Sequence, residues 1–248
     1  MTDRKQWVAG IHAVTELLRR RPESVEQLLV QEGRGDRRVQ VAVQLARSTG
    51  IAVNPCSKKE LDRLVPGVHQ GVAASAILAD KSIDESQFSA MLDKLGHDPL
   101  LLILDEVTDP HNFGACLRTA DAAGVDAVIV PKDKSAPLNA TVHKVASGAA
   151  ETVPVIRVTN LARFIEQLQA RGIWLVGTDE DAETSLYQQS LTGPLAMVMG
   201  SEGKGLRRLT RESCDYLVSL PMRGSVTSLN VSVATGICLF EAVRQRSA

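Results

Sequence analysis

The chain has 248 residues, 44% of them hydrophobic and 23% charged, with a formal net charge of -1. That composition excludes disorder over most of the length and supports one large domain or two modest ones, each with a buried core. No apolar run approaches the roughly 18 to 20 residues of a membrane helix, no secretory h-region follows the charged start before Arg19-Arg20-Arg21, and the 4 cysteines lack C-x-x-C spacing, so a soluble cytoplasmic chain with no disulfide framework and no metal site is expected.

Near-neutrality hides an uneven spread. Residues 1–75 carry 12 Lys+Arg against 8 Asp+Glu, residues 76–98 carry 2 against 5, and the remainder 14 against 16. The N-terminal excess clusters in Arg19-Arg20-Arg21, Arg34, Arg37-Arg38 and Lys58-Lys59, where it either meets phosphates or decorates solvated helix faces. Ile11, Val14, Leu17 and Leu18 fall at helical spacing within residues 10–20, and residues 25–30 read as a short strand. Asp36 caps a second helix running to Ser48. Residues 51–53 read as strand, 57–64 as helix and 71–78 as strand, which together make a small alternating α/β domain over residues 1–78. Residues 79–98 are acidic and weakly periodic, as suits a linker with one short helix.

Apolar runs of strand length follow at 100–107, 127–130, 153–158, 173–177, 196–199 and 216–220. Helical patterns lie between most of them, notably at 112–123 and 161–170. The alternation predicts a mostly parallel sheet covered on both faces over residues 99–248. Ligands in such sheets bind at the C-terminal ends of strands, so the loops after Leu104, Met199 and Leu220 are where a site is expected.

Familiar nucleotide motifs fail there. Gly200-Ser-Glu-Gly-Lys-Gly205 has phosphate-loop glycine spacing, but Leu206 and Arg207 stand where Lys and Ser/Thr belong, and no third glycine completes a dinucleotide fingerprint. In the first loop Pro110 disfavours helix before it, Asn112 is a good N-cap, and a helix of very small side chains carries Arg118. Such an arginine needs an anion, either internal (Asp105, Glu106 or Asp109) or a bound phosphate or substrate. In the second loop, three glycines admit backbone to a ligand or simply make a turn capped by Ser201, and Glu202 stands out. In the third, Ser228 and Asn230 enter an otherwise apolar segment, where capping explains one of them more easily than both.

Taken together, N-x5-R from Asn112 to Arg118, M-G-S-E-G-x-G around Gly200 and P-M-x-G-S-x-x-S-L-N-V-S-V-A from Pro221 to Ala234 resemble the three motifs of the SpoU/TrmH (SPOUT) family of RNA 2'-O-ribose methyltransferases. Gly10-Ile-His-Ala-Val and His69-Gln-Gly-Val are similar to an L30e-like RNA-binding domain attached to one branch, and across nearly its full length the chain resembles the members that methylate a guanosine of 23S ribosomal RNA. The resemblance implies a C-terminal trefoil knot, S-adenosyl-L-methionine held beside Gly200, Leu220 and Leu229, and a homodimer through the C-terminal domain with Arg118 near the neighbouring chain's cofactor region. It implies that Arg118 positions phosphate and lowers the hydroxyl pKa, while Asn112, Glu202, Ser228 and Asn230 orient it, the ribose and the methionine moiety, without a metal. Transfer RNA as substrate, or a non-catalytic RNA-binding role, is the alternative.

Overall fold

The computed structural model describes residues 5–65, 67–78 and 82–247. Along the chain the first elements are β1 (Lys5–Ala9), α1 (Ile11–Arg20), β2 (Val25–Gln31), α2 (Arg37–Ser48), β3 (Ala52–Cys56), α3 (Lys58–Leu64) and β4 (Val72–Ile77). They form a mixed sheet in the order β1-β4-β2-β3, with β4 antiparallel to both β1 and β2 and β2 parallel to β3. Asp36 caps α2 as expected by accepting from the Val39 amide, and Ser57 with Glu60 closes a reciprocal capping box on α3. The unexpected strand is β1, whose charged sequence masks its pairing with β4. The core of this unit gathers Val8, Val14, Leu17, Leu18, Leu28, Val39 and Val72.

The rest of the chain runs α4 (Glu85–Leu92), β5 (Leu100–Leu104), α5 (Pro110–Ala123), β6 (Ala127–Pro131), α6 (Ala140–Ala146), α7 (Ala149–Thr152), β7 (Val155–Val158), α8 (Leu161–Ala170), β8 (Trp174–Thr178), β9 (Leu195–Met199), α9 (Arg208–Glu212), β10 (Tyr216–Val218) and α10 (Val231–Arg246). Its six strands are all parallel, in the order β10-β8-β9-β5-β6-β7. Every residue of β5, β6 and β9 is buried, which is why these strands read as unbroken apolar runs and not as alternation.

The chain divides into two compact units, one of Met1–Asp80 with Pro137–Thr152, the other of Lys81–Ala136 with Val153–Ala248. The sequence boundary at 79–98 assigned residues 137–152 to the second domain, whereas here they pack with the first unit. Small side chains permit this, and polar contacts fix it. The Ala140 amide donates to Gln6 Oε1 at 2.9 Å, and the buried Glu151 carboxylate lies 3.0 Å from His143 Nδ1 and 3.6 Å from Arg21 Nη1. A Cβ on Gly148 would stand 2.7 Å from Glu16 Cγ, so only glycine lets α1 approach there. Among the described residues no helix is long and apolar enough to cross a membrane, and no cluster of His, Cys, Asp and Glu could hold a metal.

Candidate active site

In the second unit a parallel sheet sends the loops after β5, β9 and β10 from the same edge. The loop after β5 ends in α5, whose N-cap is Asp109 and not Asn112. The Asp109 carboxylate accepts from the His111 and Asn112 amides at 3.2 Å each, with Pro110 at the first helical position. Asn112 therefore sits inside the first turn, with its side chain released from capping. Its Oδ1 accepts from Asn230 Nδ2 at 3.0 Å.

Asn230 does two jobs with one carboxamide. Its Oδ1 caps α10, accepting from the Ser232 amide at 2.9 Å and the Ser232 hydroxyl at 2.6 Å. Its Nδ2 donates to Asn112 and also to Glu202 Oε1. One side chain thereby ties together the first turn of α5, the loop after β9 and the start of α10. The three stand exposed or half-exposed at the surface, where a substrate can reach them. Beneath them Cys116 is buried, its sulfur 3.5 Å from Thr235 Oγ1, and burial, reinforced by the Glu202 charge, pushes its thiol up to about 11. It stays protonated and is no nucleophile.

The loop after β9 is closed on itself. Ser201 and Gly205 exchange two backbone hydrogen bonds of 3.0 Å, and a Cβ on Gly200 would lie 2.2 Å from the Gly205 carbonyl carbon. Glycine at 200 is thus explained by the loop's own backbone, and Ser201 does not cap a helix, since α9 begins only at Arg208. The loop is pinned to β5 by a pair that sequence reasoning missed. Asp105, fully buried, accepts from Arg207 Nε at 2.7 Å and from the Arg207 amide at 3.1 Å, with Nη2 at 2.6 Å. An aspartate directly after five apolar residues was the available signal, because a carboxylate at the end of a buried strand must be paired. Glu106, held at a left-handed φ of 61°, adds contacts to Lys134 at 3.0 Å and to Arg207 at 3.7 Å.

Arg118 lies on the exposed face of α5 and forms no ion pair or hydrogen bond among the described residues. None of its three possible internal partners takes it: Asp105 and Glu106 belong to Arg207 and Lys134, and Asp109 to the helix cap. Ser228 is exposed and joins no hydrogen bond of the cluster; Leu220 and Leu229 are half-buried. From Leu220 to Leu229 no backbone group hydrogen-bonds to another described residue, which leaves a run of main-chain donors and acceptors beside half-buried leucines.

Residues 99–240 match the SpoU rRNA Methylase family. The chain belongs to that family. Residues 7–79 match the RNA 2'-O ribose methyltransferase substrate binding family. The 23S rRNA (guanosine-2'-O-)-methyltransferase RlmB of Pseudomonas syringae pv. tomato is 59% identical over 97% of this chain and 96% of its own. Its namesake in Escherichia coli K12 is 56% identical over 98% and 99%. Among solved structures, the SpoU methyltransferase AviRb of Streptomyces viridochromogenes in complex with the cofactor AdoMet superposes with a TM-score of 0.76 at 28% identity, covering 97% of this chain and 90% of that one.

Proposed function

We propose that this protein transfers a methyl group from S-adenosyl-L-methionine to the ribose 2'-hydroxyl of a guanosine in 23S ribosomal RNA. The observation that carries the reading is the single carboxamide of Asn230 joining Asn112 and Glu202, in a chain nearly three-fifths identical to 23S rRNA guanosine methyltransferases. The uncommitted main chain of residues 220–229 with half-buried Leu220 and Leu229 fits an adenine, which needs a flat apolar slot and main-chain hydrogen bonds. Those residues, with the backbone at Gly200, would hold the cofactor, which supplies an electrophilic methyl on a sulfonium.

A sugar hydroxyl is a weak nucleophile near neutrality, so the protein must orient it and ease its deprotonation. Arg118 is assigned to this work as a permanent cation with five N–H donors. It engages the substrate phosphate and stabilises negative charge growing on the 2'-oxygen, but has no lone pair with which to accept the proton. Asn112, Glu202, Asn230 and Ser228 position the ribose and the methionine end of the cofactor. The first unit serves as the RNA-binding domain and the second as the methyltransferase domain, with residues 137–152 moved from the second to the first and residues 81–98 counted with the second rather than as linker; the C-terminal segment makes a trefoil knot, and the protein works in the cytoplasm. Val233 and Phe240, about half exposed on α10, form part of a homodimer interface through that domain.

The test maps 2'-O-methyl groups on unmodified 23S rRNA incubated with protein and cofactor. One methylated guanosine is expected with the parent and none with Arg118→Ala. Methylation of transfer RNA instead, or full activity of Arg118→Ala, would overturn the reading.

A further inference from the structure

The first unit holds a cavity of about 660 Å³ that the chemistry above does not use, lined by Gln31, Arg34, Lys58, Asp62 and loop residues 67–71. Its walls are fixed from behind. His69, only 6% exposed, accepts the Gly71 amide on Nδ1 at 3.0 Å, which leaves the ring proton on Nε2 to be donated to Asp62 Oδ1, also at 3.0 Å. Gln70 adopts a left-handed φ of 54°, stabilised because its Oε1 accepts from the Ile11 amide at 2.9 Å, at the open start of α1. The two stretches around Gly10 and His69 thus build one rigid knuckle.

The cations sit on that knuckle in a defined way. A Cβ on Gly71 would lie 2.5 Å from Arg34 Cδ, so the arginine stem lies directly across the glycine, and Asp36 tethers the guanidinium at 3.1 Å. Lys58, at the first position of α3, forms no ion pair among the described residues, because Asp62 one turn on is committed to His69. Val68, 73% exposed, adds an apolar edge, and the carboxamides of Gln31 and Gln70 add hydrogen-bonding groups.

A tethered planar guanidinium, a free ammonium, an apolar edge and carboxamides match the parts of one nucleotide: a base face, a phosphate and a base edge. The volume lies within the roughly 300–1,000 Å³ of small-ligand pockets, and a base laid on a guanidinium face must first leave its own stack. The Asp62 carboxylate can accept from a base amino group, and Lys58, one turn earlier on α3, offers the ammonium for a phosphate. We propose that this cavity seats one unpaired nucleotide of the RNA substrate, its base on Arg34 and its phosphate at Lys58. The inference rests on the rRNA methyltransferase reading and adds where, and in what form, the RNA is gripped away from the reacting ribose.

The test uses the full chain and unmodified 23S rRNA transcribed in vitro. Lys58→Ala removes no contact of the fold, and Arg34→Lys keeps charge but loses the plane. Each is expected to bind the RNA about tenfold more weakly, with a log–log salt slope shallower by about one for Lys58→Ala and unchanged for Arg34→Lys. KM for RNA rises in both while kcat at saturating RNA stays. Titration of ¹⁵N-labelled protein with nucleoside 5'-monophosphates should move the Gly71 amide resonance in the parent and not in Lys58→Ala. Variants that bind rRNA within twofold of the parent and keep its salt slope would overturn the pocket while leaving the methyltransferase reading intact. If the parent does not methylate 23S rRNA, that reading fails, and the nucleotide titration still decides the pocket.

Discussion

Replacing Arg207 by alanine probes the least visible part of the active site. The Asp105 carboxylate is 0% exposed and would keep a single partner, the amide of residue 207 at 3.1 Å. Removing one member of a buried pair costs about 3–5 kcal/mol because a charge is left unpaired. The Arg207 side chain is 42% exposed, so water enters the gap and reduces the cost to about 2–3 kcal/mol. With about 2–4 °C per kcal/mol in a unit of this size, the melting temperature should fall by roughly 5–10 °C. Asp105→Asn in the same chain removes the buried charge, so the double variant should be more stable than the sum of the single losses predicts. Differential scanning calorimetry and urea melts on the four proteins of the cycle measure this. A fall under about 2 °C for Arg207→Ala, or strict additivity, would refute the argument. Because the loop between Gly200 and Arg207 carries Glu202, kcat should drop as well, and Arg207→Lys should recover part of the stability and part of the rate.

Gly200→Ala forces a Cβ to 2.2 Å from the Gly205 carbonyl carbon, so the paired loop must open, at roughly 3 kcal/mol or more; a melting temperature equal to the parent's would contradict the packing. Asn230→Ala should lower methyl transfer at least tenfold while weakening α10 by about 1 kcal/mol through the lost cap, and Asn230→Ser, which keeps a capping oxygen but loses the amide that reaches Asn112 and Glu202, should restore the melt and not the rate. Burial holds the thiols of Cys116, Cys214 and Cys238 up at about 11, 12 and 12, so iodoacetamide at pH 8 should label none of the three in the native protein and all of them in guanidinium. Hydrogen bonds from Arg244 and Gln245 pull the Glu241 carboxyl from 4.5 down to about 2; its stabilisation is complete above about pH 4.5 and is lost as the pH falls toward 2, so urea melts of Glu241→Gln should change less over that window than the parent's.

Much of this was legible because the governing signals are local. Asp36 and Ser57 announce helix starts by the chemistry of capping, and the central strands of the parallel sheet announce themselves as short apolar runs. What escaped reading depends on partners distant in sequence. β1 is a strand only because β4 lies beside it. Residues 137–152 join the first unit through Arg21 and Gln6, more than a hundred residues away.

The site shows the same division within a single motif. Aspartate and asparagine both cap helices, and the run D-P-H-N offers two candidates three residues apart. Proline favours the first helical position, where its missing N–H is no loss, and that favours Asp109 as cap. Once Asp109 takes the helix end, the Asn112 side chain is released for other partners, and its Oδ1 accepts from the amide of Asn230, itself half used as a cap on α10. Residue types thus narrowed the site to three asparagine- and glutamate-bearing loops, but only the closing of α5 against α10 decides which atoms meet. The same logic applies to Arg118. Read alone it had three acidic neighbours to satisfy it, and each of them is claimed by a shorter-range or better-buried demand. What the structure leaves at Arg118 is an exposed cation on α5 with no internal anion among the described residues, and the Arg118→Ala assay decides whether the substrate supplies one.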